Sequence, residues 1–105
     1  MNVIEKSFSN EEFSKLETII LEDGTVVFLL NDIVRILGLS NQSSVKSRLS
    51  SQGIYVLQIR DDLGTYVDEG NLYSCIFQSR KPEAEKFRNW VTKHLLSGGQ
   101  KQLLA

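Results

Sequence analysis

Two cations, Arg80 and Lys81, stand immediately before Pro82 in the stretch QSRKPEAEKFRNWV, residues 78–91. Cations gain nothing from the positive end of the helix that Pro82 is expected to open. An anion placed there would meet both side chains and the free N–H groups of the first turn. Arg35, Lys46 and Arg48 fall within residues 33–60, a span without a single acid, and Arg88 and Lys93 follow in the last apolar-periodic segment. Basic side chains gathered on one face bind phosphate groups, with affinity that falls steeply with salt. Asn41, Gln42, Ser43 and Ser44 lie among these cations and are of the types that reach base edges or the sugar-phosphate backbone.

Other chemistry finds no constellation. The one histidine, His94, lies near the end of the last predicted helix, where a polarisable group suits the dipole. With no second histidine and one cysteine, Cys75, neither a recognisable metal site nor an internal disulfide is expected. Cys75 beside Ile76 and Phe77 reads as a buried, inert thiol. The glycines form neither a dinucleotide fingerprint nor a P-loop, so no cofactor is expected. The acid pairs Asp61-Asp62 and Asp68-Glu69 are explained by turns and caps. An enzyme is therefore not expected.

The elements that would position the cations can be read from the pattern. At 105 residues, 41% hydrophobic and 24% charged, the chain fits one ordinary globular domain. No apolar run is long enough to span a membrane, the N-terminus lacks a signal peptide, and the lone cysteine fits a reducing cytoplasm. The net charge of −1 conceals −5 over residues 1–34 and +4 over residues 35–105. The pattern predicts a polar segment over 1–15, with a strand starting near Val3-Ile4, a domain over 16–97, and a tail over 98–105. Leu16–Leu21 and Thr25–Leu29 flank Asp23-Gly24 as a hairpin. Two short helices follow, one capped by Asn31 and ended by Gly38, the other capped by Ser40 or Asn41 and closed by Gly53. IYVLQI is a strand that turns back at Asp61–Gly64. Asp68 caps a third helix with Leu72, Cys75 and Ile76 inward. A fourth opens at Pro82, carries Ala84, Phe87, Trp90, Val91 and Leu95 inward, and stops at Gly98-Gly99. Paired strands apart from later helices give an α+β fold, a small antiparallel sheet packed with about four short helices.

The pair of helices over 32–50 invites comparison with helix-turn-helix, although Val45 falls seven residues after Gly38 where that pattern has six. Beyond this, two blocks resemble the BRO family N-terminal domain, found in baculovirus repeated-ORF proteins and in phage and prophage antirepressors. FLLNDIVRILGLSN is similar to the family's aromatic, Asp-hydrophobic, Leu-Gly segment. DEGNLYSCIFQSRKPEAEKFRNWVTKHLL is similar to its Glu-x-Gly-Leu-Tyr, Ser-Arg-Lys-Pro-x-Ala and Phe-Arg-x-Trp-Val-Thr segments. The resemblance covers residues 20–97. Asn71 stands at the family's usual glycine, as a residue that tolerates positive φ. HLLSGGQKQ replaces a Leu-Pro-x-Ile-Arg continuation, and members usually carry a second, variable domain.

The resemblance implies a DNA-associated α+β domain and, in antirepressors, interference with a phage repressor. The expectation is thus a module of a phage- or prophage-type regulator that binds duplex DNA through Arg35, Asn41, Gln42, Ser43, Ser44, Lys46, Arg48, Arg80, Lys81, Arg88 and Lys93. It would act in the bacterial cytoplasm, or in a nucleus if the source is a eukaryotic virus. The alternative is a protein-binding module whose acidic third, with Glu5, Glu11, Glu12 and Glu17, engages a repressor. Self-association through exposed aromatics such as Tyr55 and Tyr66 is compatible with either.

Overall fold

The structure, a computed structural model, describes residues 4–10, 14–39, 41–79 and 82–96. Strand β1 (Ile4–Asn10) runs antiparallel to β2 (Ser14–Ile20), in register from Ile4 opposite Ile20 to Asn10 opposite Ser14. The strand expected to begin near Val3-Ile4 therefore continues through the polar SFSN and forms one edge of the sheet. As an edge strand it has a hydrogen-bonded neighbour on one side only.

β3 (Val26–Leu29) pairs with β2 through Thr18–Phe28 and Ile20–Val26. The connecting turn is built as the Asp-Gly pair predicts. Gly24 takes φ 90°, a value open to glycine at no steric cost. The Asp23 carboxylate accepts the Thr25 N–H at 2.9 Å. The hydrogen bonds from Thr25 hold the Asp23 carboxyl below its ordinary value. Its contribution to the turn is present above the unfolded carboxyl value and is lost as pH falls through the folded one.

β3 runs straight into α1 (Leu30–Leu37), with Leu29 at the cap position and no side-chain cap. This corrects the expectation for Asn31, which lies exposed inside the first turn. The strand enters the helix two residues early, with Leu29 at the cap position, and leaves no room for an Asn cap. Asp32, in the same turn, is buried, accepts the Glu17 N–H at 2.9 Å and pairs with Arg35 at 3.1 Å. Gly38 ends α1 as expected, at φ 65°, and the Leu39 N–H reaches back to the Val34 carbonyl at 3.0 Å. α2 (Gln42–Ser47) is capped by Asn41, whose side chain accepts the Ser44 N–H at 3.1 Å.

Gly53 does not close α2, which ends at Ser47. It belongs to a 3₁₀ turn, Ser51–Gly53, and is buried. A Cβ at Gly53 would lie 2.4–2.5 Å from the Asp68 carboxylate. Glycine is needed there for close approach, not for helix termination. β4 (Ile54–Ile59) and β5 (Asp62–Asp68) form the second hairpin, with Ile59 opposite Asp62. The turn expected at Asp61–Gly64 is therefore the two residues Arg60-Asp61. Arg60 takes φ 56°, a left-handed conformation that disfavours a residue with Cβ.

β5 inserts between β3 and β4, so the order is β1-β2-β3-β5-β4, with every pairing antiparallel. α3 (Glu69–Gln78) begins at Asp68, whose carboxylate accepts the Asn71 N–H at 2.9 Å. α4 (Glu83–Trp90) follows Pro82, which already has helical dihedrals, φ −57° and ψ −29°. The helix then widens into a π-turn, Val91–Leu96. The expected stop at Gly98-Gly99 and the tail lie outside the described residues.

The fold is α+β, as expected, and its main core lies between the sheet and the helices. Phe28 and Val67 face each other across β3 and β5 and join Leu16, Leu30, Ile33, Leu37, Val45, Leu72, Cys75, Ile76, Ala84, Phe87 and Val91. The stripes expected of the last two helices are thus buried, save that Trp90 is half-buried, 6.0 Å from the Phe87 ring. Leu95 lies beyond the described side chains. The opposite sheet face gathers Ile19, Val27 and Tyr66. Tyr66, expected to be exposed, is 2% exposed. Its ring fills this second cluster while its hydroxyl, the polar handle of a buried tyrosine, donates to the Glu17 carboxylate.

Candidate nucleic-acid interface

Val45 seats α2 on the main core and Leu49 packs against the same cluster, which fixes the remaining face of the helix outward. On it Ser43, Ser44 and Arg48 are exposed, while Lys46 is half-buried. The Ser47 hydroxyl donates to the Ser44 carbonyl at 2.7 Å, which removes one hydroxyl from the outward set. Asn41 is exposed but its carbonyl oxygen is engaged as the cap, so its free group is the amide N–H₂. At six residues α2 is under two turns long. It presents a small basic and hydroxyl-bearing face.

Two predicted contacts have other work. Arg35 is exposed, yet one guanidinium nitrogen donates to the Lys15 carbonyl at 2.7 Å and to Asp32 at 3.1 Å. It fastens α1 to the start of β2. Gln42 is half-buried and points into a polar cleft of about 440 Å³, lined also by Glu17, Asn31, Arg60, Asp62 and Tyr66. The cleft carries two carboxylates against one guanidinium, so phosphate is disfavoured there.

Of the later cations, Arg88 is brought to the groove between α3 and α4. Arg88 is exposed and lines this groove, about 600 Å³, together with Tyr73, Ile76, Phe77, Ser79 and Thr92. The hydroxyls of Tyr73 and Thr92 share a hydrogen bond at 3.0 Å, tying α3 to the π-turn. Lys93 is exposed one residue further on. Arg80 and Lys81, the pair that first suggested an anion site, lie outside the described residues. Ser79 donates to the Leu37 carbonyl at 3.3 Å and so ties the end of α3 to the end of α1.

Two features escaped the sequence reading. Asn71 does not adopt positive φ; it lies in α3 and is 2% exposed. Its side-chain amide accepts the Ser50 N–H at 3.0 Å and donates to the Ser50 carbonyl at 2.9 Å. It behaves as a strand neighbour would, pairing both backbone groups of one residue. Phe77 is 87% exposed on the last turn of α3. Cys75, by contrast, is buried as expected, and burial pushes its thiol up to about 11, so it stays protonated at neutral pH. Among the described residues no three His, Cys, Asp or Glu side chains cluster as a metal site, and no helix is long and apolar enough to cross a membrane. The His94 side chain lies outside what is described.

The comparisons with known proteins now bear on these surfaces. An uncharacterized protein of Haemophilus influenzae is 33% identical over 96 residues, covering 85% of this chain and 48% of the relative. The chain thus spans about half the length of that relative. No solved structure matches the chain. Residues 15–97 match the BRO family, N-terminal domain, across the α1–α2 pair and the α3–α4 groove alike. The chain belongs to the BRO family as its N-terminal domain.

Proposed function

We propose that this domain is the DNA-binding module of a phage- or prophage-type transcriptional regulator. One observation carries the reading: the acid-free span folds so that α2 turns Ser43, Ser44 and Arg48 to solvent while its one buried residue, Val45, anchors it. A face of hydroxyls and cations with no carboxylate among them favours a polyanion. Arg88 and Lys93 on the last helix add cations, and Arg80 and Lys81 follow Ser79 in the sequence. Membership of the BRO family supports the same reading. Arg35 contributes by holding α1, and Gln42 by shaping the polar cleft.

The test is a pair of double variants, Lys46→Ala with Arg48→Ala and Arg80→Ala with Lys81→Ala, in gel-shift titrations on duplex DNA. Each pair should weaken binding about tenfold and lower the salt dependence by nearly two phosphate contacts, with the thermal midpoint unchanged. Unchanged affinity in both pairs would remove the assignment.

A second reading, binding of a basic repressor protein, is favoured by the position of β1 at the sheet edge. That edge carries Glu5, and Glu11 and Glu12 follow in the sequence. Glu17 is already paired with Lys15 at 3.4 Å and accepts from Tyr66, so it serves the fold. Deleting residues 1–15 would remove β1, so charge reversal at Glu5, Glu11 and Glu12 is the cleaner test. Retention of a co-purifying repressor by the triple variant would count against this reading.

A further inference from the structure

We infer that Phe77 is a wedge that enters a base step of bound duplex DNA, with Arg88 holding a neighbouring phosphate. The inference rests on the DNA-binding reading above and names a residue and a mode of action for it. Phe77 lies on α3 beside Leu72, Cys75 and Ile76, all buried, yet is itself 87% exposed. A phenylalanine so placed adds nothing to the core, and its ring stands at the lip of the α3–α4 groove. Arg88 lines the same groove and is exposed. In the chain, Arg80 and Lys81 come three and four residues after Phe77, and the segment 77–93 carries five basic residues against two acids.

An apolar ring in one groove with an exposed guanidinium suits a partner that offers both a π-face and a phosphate, which is a nucleic acid. The number of rings selects the mode. Platforms for single strands stack successive bases on successive aromatics. Among the described side chains Phe77 is the one exposed aromatic, and the other exposed large apolar residues, Val56 and Leu63, are aliphatic and lie on the β4–β5 hairpin. One projecting ring matches insertion at one opened step, which kinks the duplex and brings more protein surface against it. Glu85, also exposed in the groove, repels a phosphate, so the phosphate contact is assigned to Arg88.

The experiment compares wild type with Phe77→Ala and Phe77→Leu on two end-labelled duplexes, one perfect and one with a central mismatch that lowers the cost of opening a step. Affinity is read by anisotropy and bending by energy transfer between the ends. Wild type should prefer the mismatched duplex about tenfold and bend both, since apolar wedges kink steps by tens of degrees. Phe77→Ala should lose the preference and the bend and bind the perfect duplex more weakly, while keeping its thermal midpoint and the salt slope set by the phosphate contacts. Phe77→Leu, still an apolar wedge, should retain part of each. Binding by wild type with no preference, or a preference that survives Phe77→Ala, overturns the wedge and leaves the DNA-binding reading standing. Tighter binding of single-stranded oligothymidine than of either duplex, lost in Phe77→Ala, overturns the wedge in favour of base stacking. No binding to any of these by wild type overturns both readings.

Discussion

Replacing Phe87 by alanine should lower the unfolding free energy by about 3–5 kcal/mol, the usual range for removing a buried aromatic ring. Phe87 is fully buried in the main core, and its ring lies 6.0 Å from that of Trp90 at an interplanar angle of 35°. The site cannot collapse easily. It lies where α4 meets the core built from α1, α3 and the sheet, so closing the cavity would require shifting a helix against two others. A domain of this size holds roughly 5–15 kcal/mol in total, so the variant should sit near the edge of stability. Urea unfolding followed by Trp90 emission reads the effect twice. The midpoint should fall, and the native emission should shift to the red as Trp90 loses its aromatic neighbour. Phe87→Leu should cost far less, because most of the volume is kept. A loss below about 1 kcal/mol for alanine would mean that α4 is not held by this ring.

The second large effect is expected at Asn71. Alanine there removes two hydrogen bonds at once and leaves the Ser50 N–H without its partner, while the Ser50 carbonyl keeps the Gly53 N–H at 3.1 Å. Net loss of a hydrogen bond costs about 1 kcal/mol, and a backbone group left unsatisfied costs about 1–3 kcal/mol. Together these place Asn71→Ala at about 2–4 kcal/mol, reduced toward the lower figure by any water that reaches Ser50. The effect should be local in kind as well as large. Ser50 opens the turn that carries Gly53 beside the Asp68 carboxylate, and Asp68 caps α3. Amide hydrogen exchange should therefore speed up at Ser50 and at Asn71 together. Wild-type exchange at Ser50 in the variant would show that the amide pairing is not what holds the turn.

Both positions bear on what a sequence can disclose. Phe87 was legible because the apolar stripe of α4 repeats at helical spacing, and a stripe of that width has one place to go. Gly24, Gly38 and Asp68 were legible for a similar reason, since each works on residues within four positions of itself. Asn71 was not. Its partner, Ser50, is 21 residues away, and nothing local distinguishes a clamp from a surface amide. Gly53 was misassigned because a glycine after a helical run suggests termination, whereas its actual constraint is the distant Asp68 carboxylate. Arg60 was missed because the register of β4 on β5 fixes where the turn falls. The adjacent Asp61-Asp62 pair looked chemically better suited to it.

The interface divides in the same way. Charge and the absence of acids pointed to α2 and to the α3–α4 region from residue types alone. Arg35 illustrates the limit of that approach, since a cation in an acid-free span also makes a good brace: Asp32 lies one turn before it in α1, and the Lys15 carbonyl comes from 20 residues away. Phe77 was not singled out, because nothing local marks a phenylalanine beside the inward Cys75 and Ile76 as the one that helical spacing turns outward.

The central claim, that this BRO-family domain binds duplex DNA through phosphate contacts, is tested most directly by fluorescence anisotropy of labelled duplex DNA across a salt series. The account predicts binding in the micromolar range at low salt, with log K falling linearly against log salt. With about four to seven of the named cations engaged, the slope should be near −4 to −6, at roughly 0.9 per contact. Absence of binding at low salt, or binding that salt leaves unchanged, would contradict the claim and leave the acidic N-terminal third of the sequence as the part to pursue.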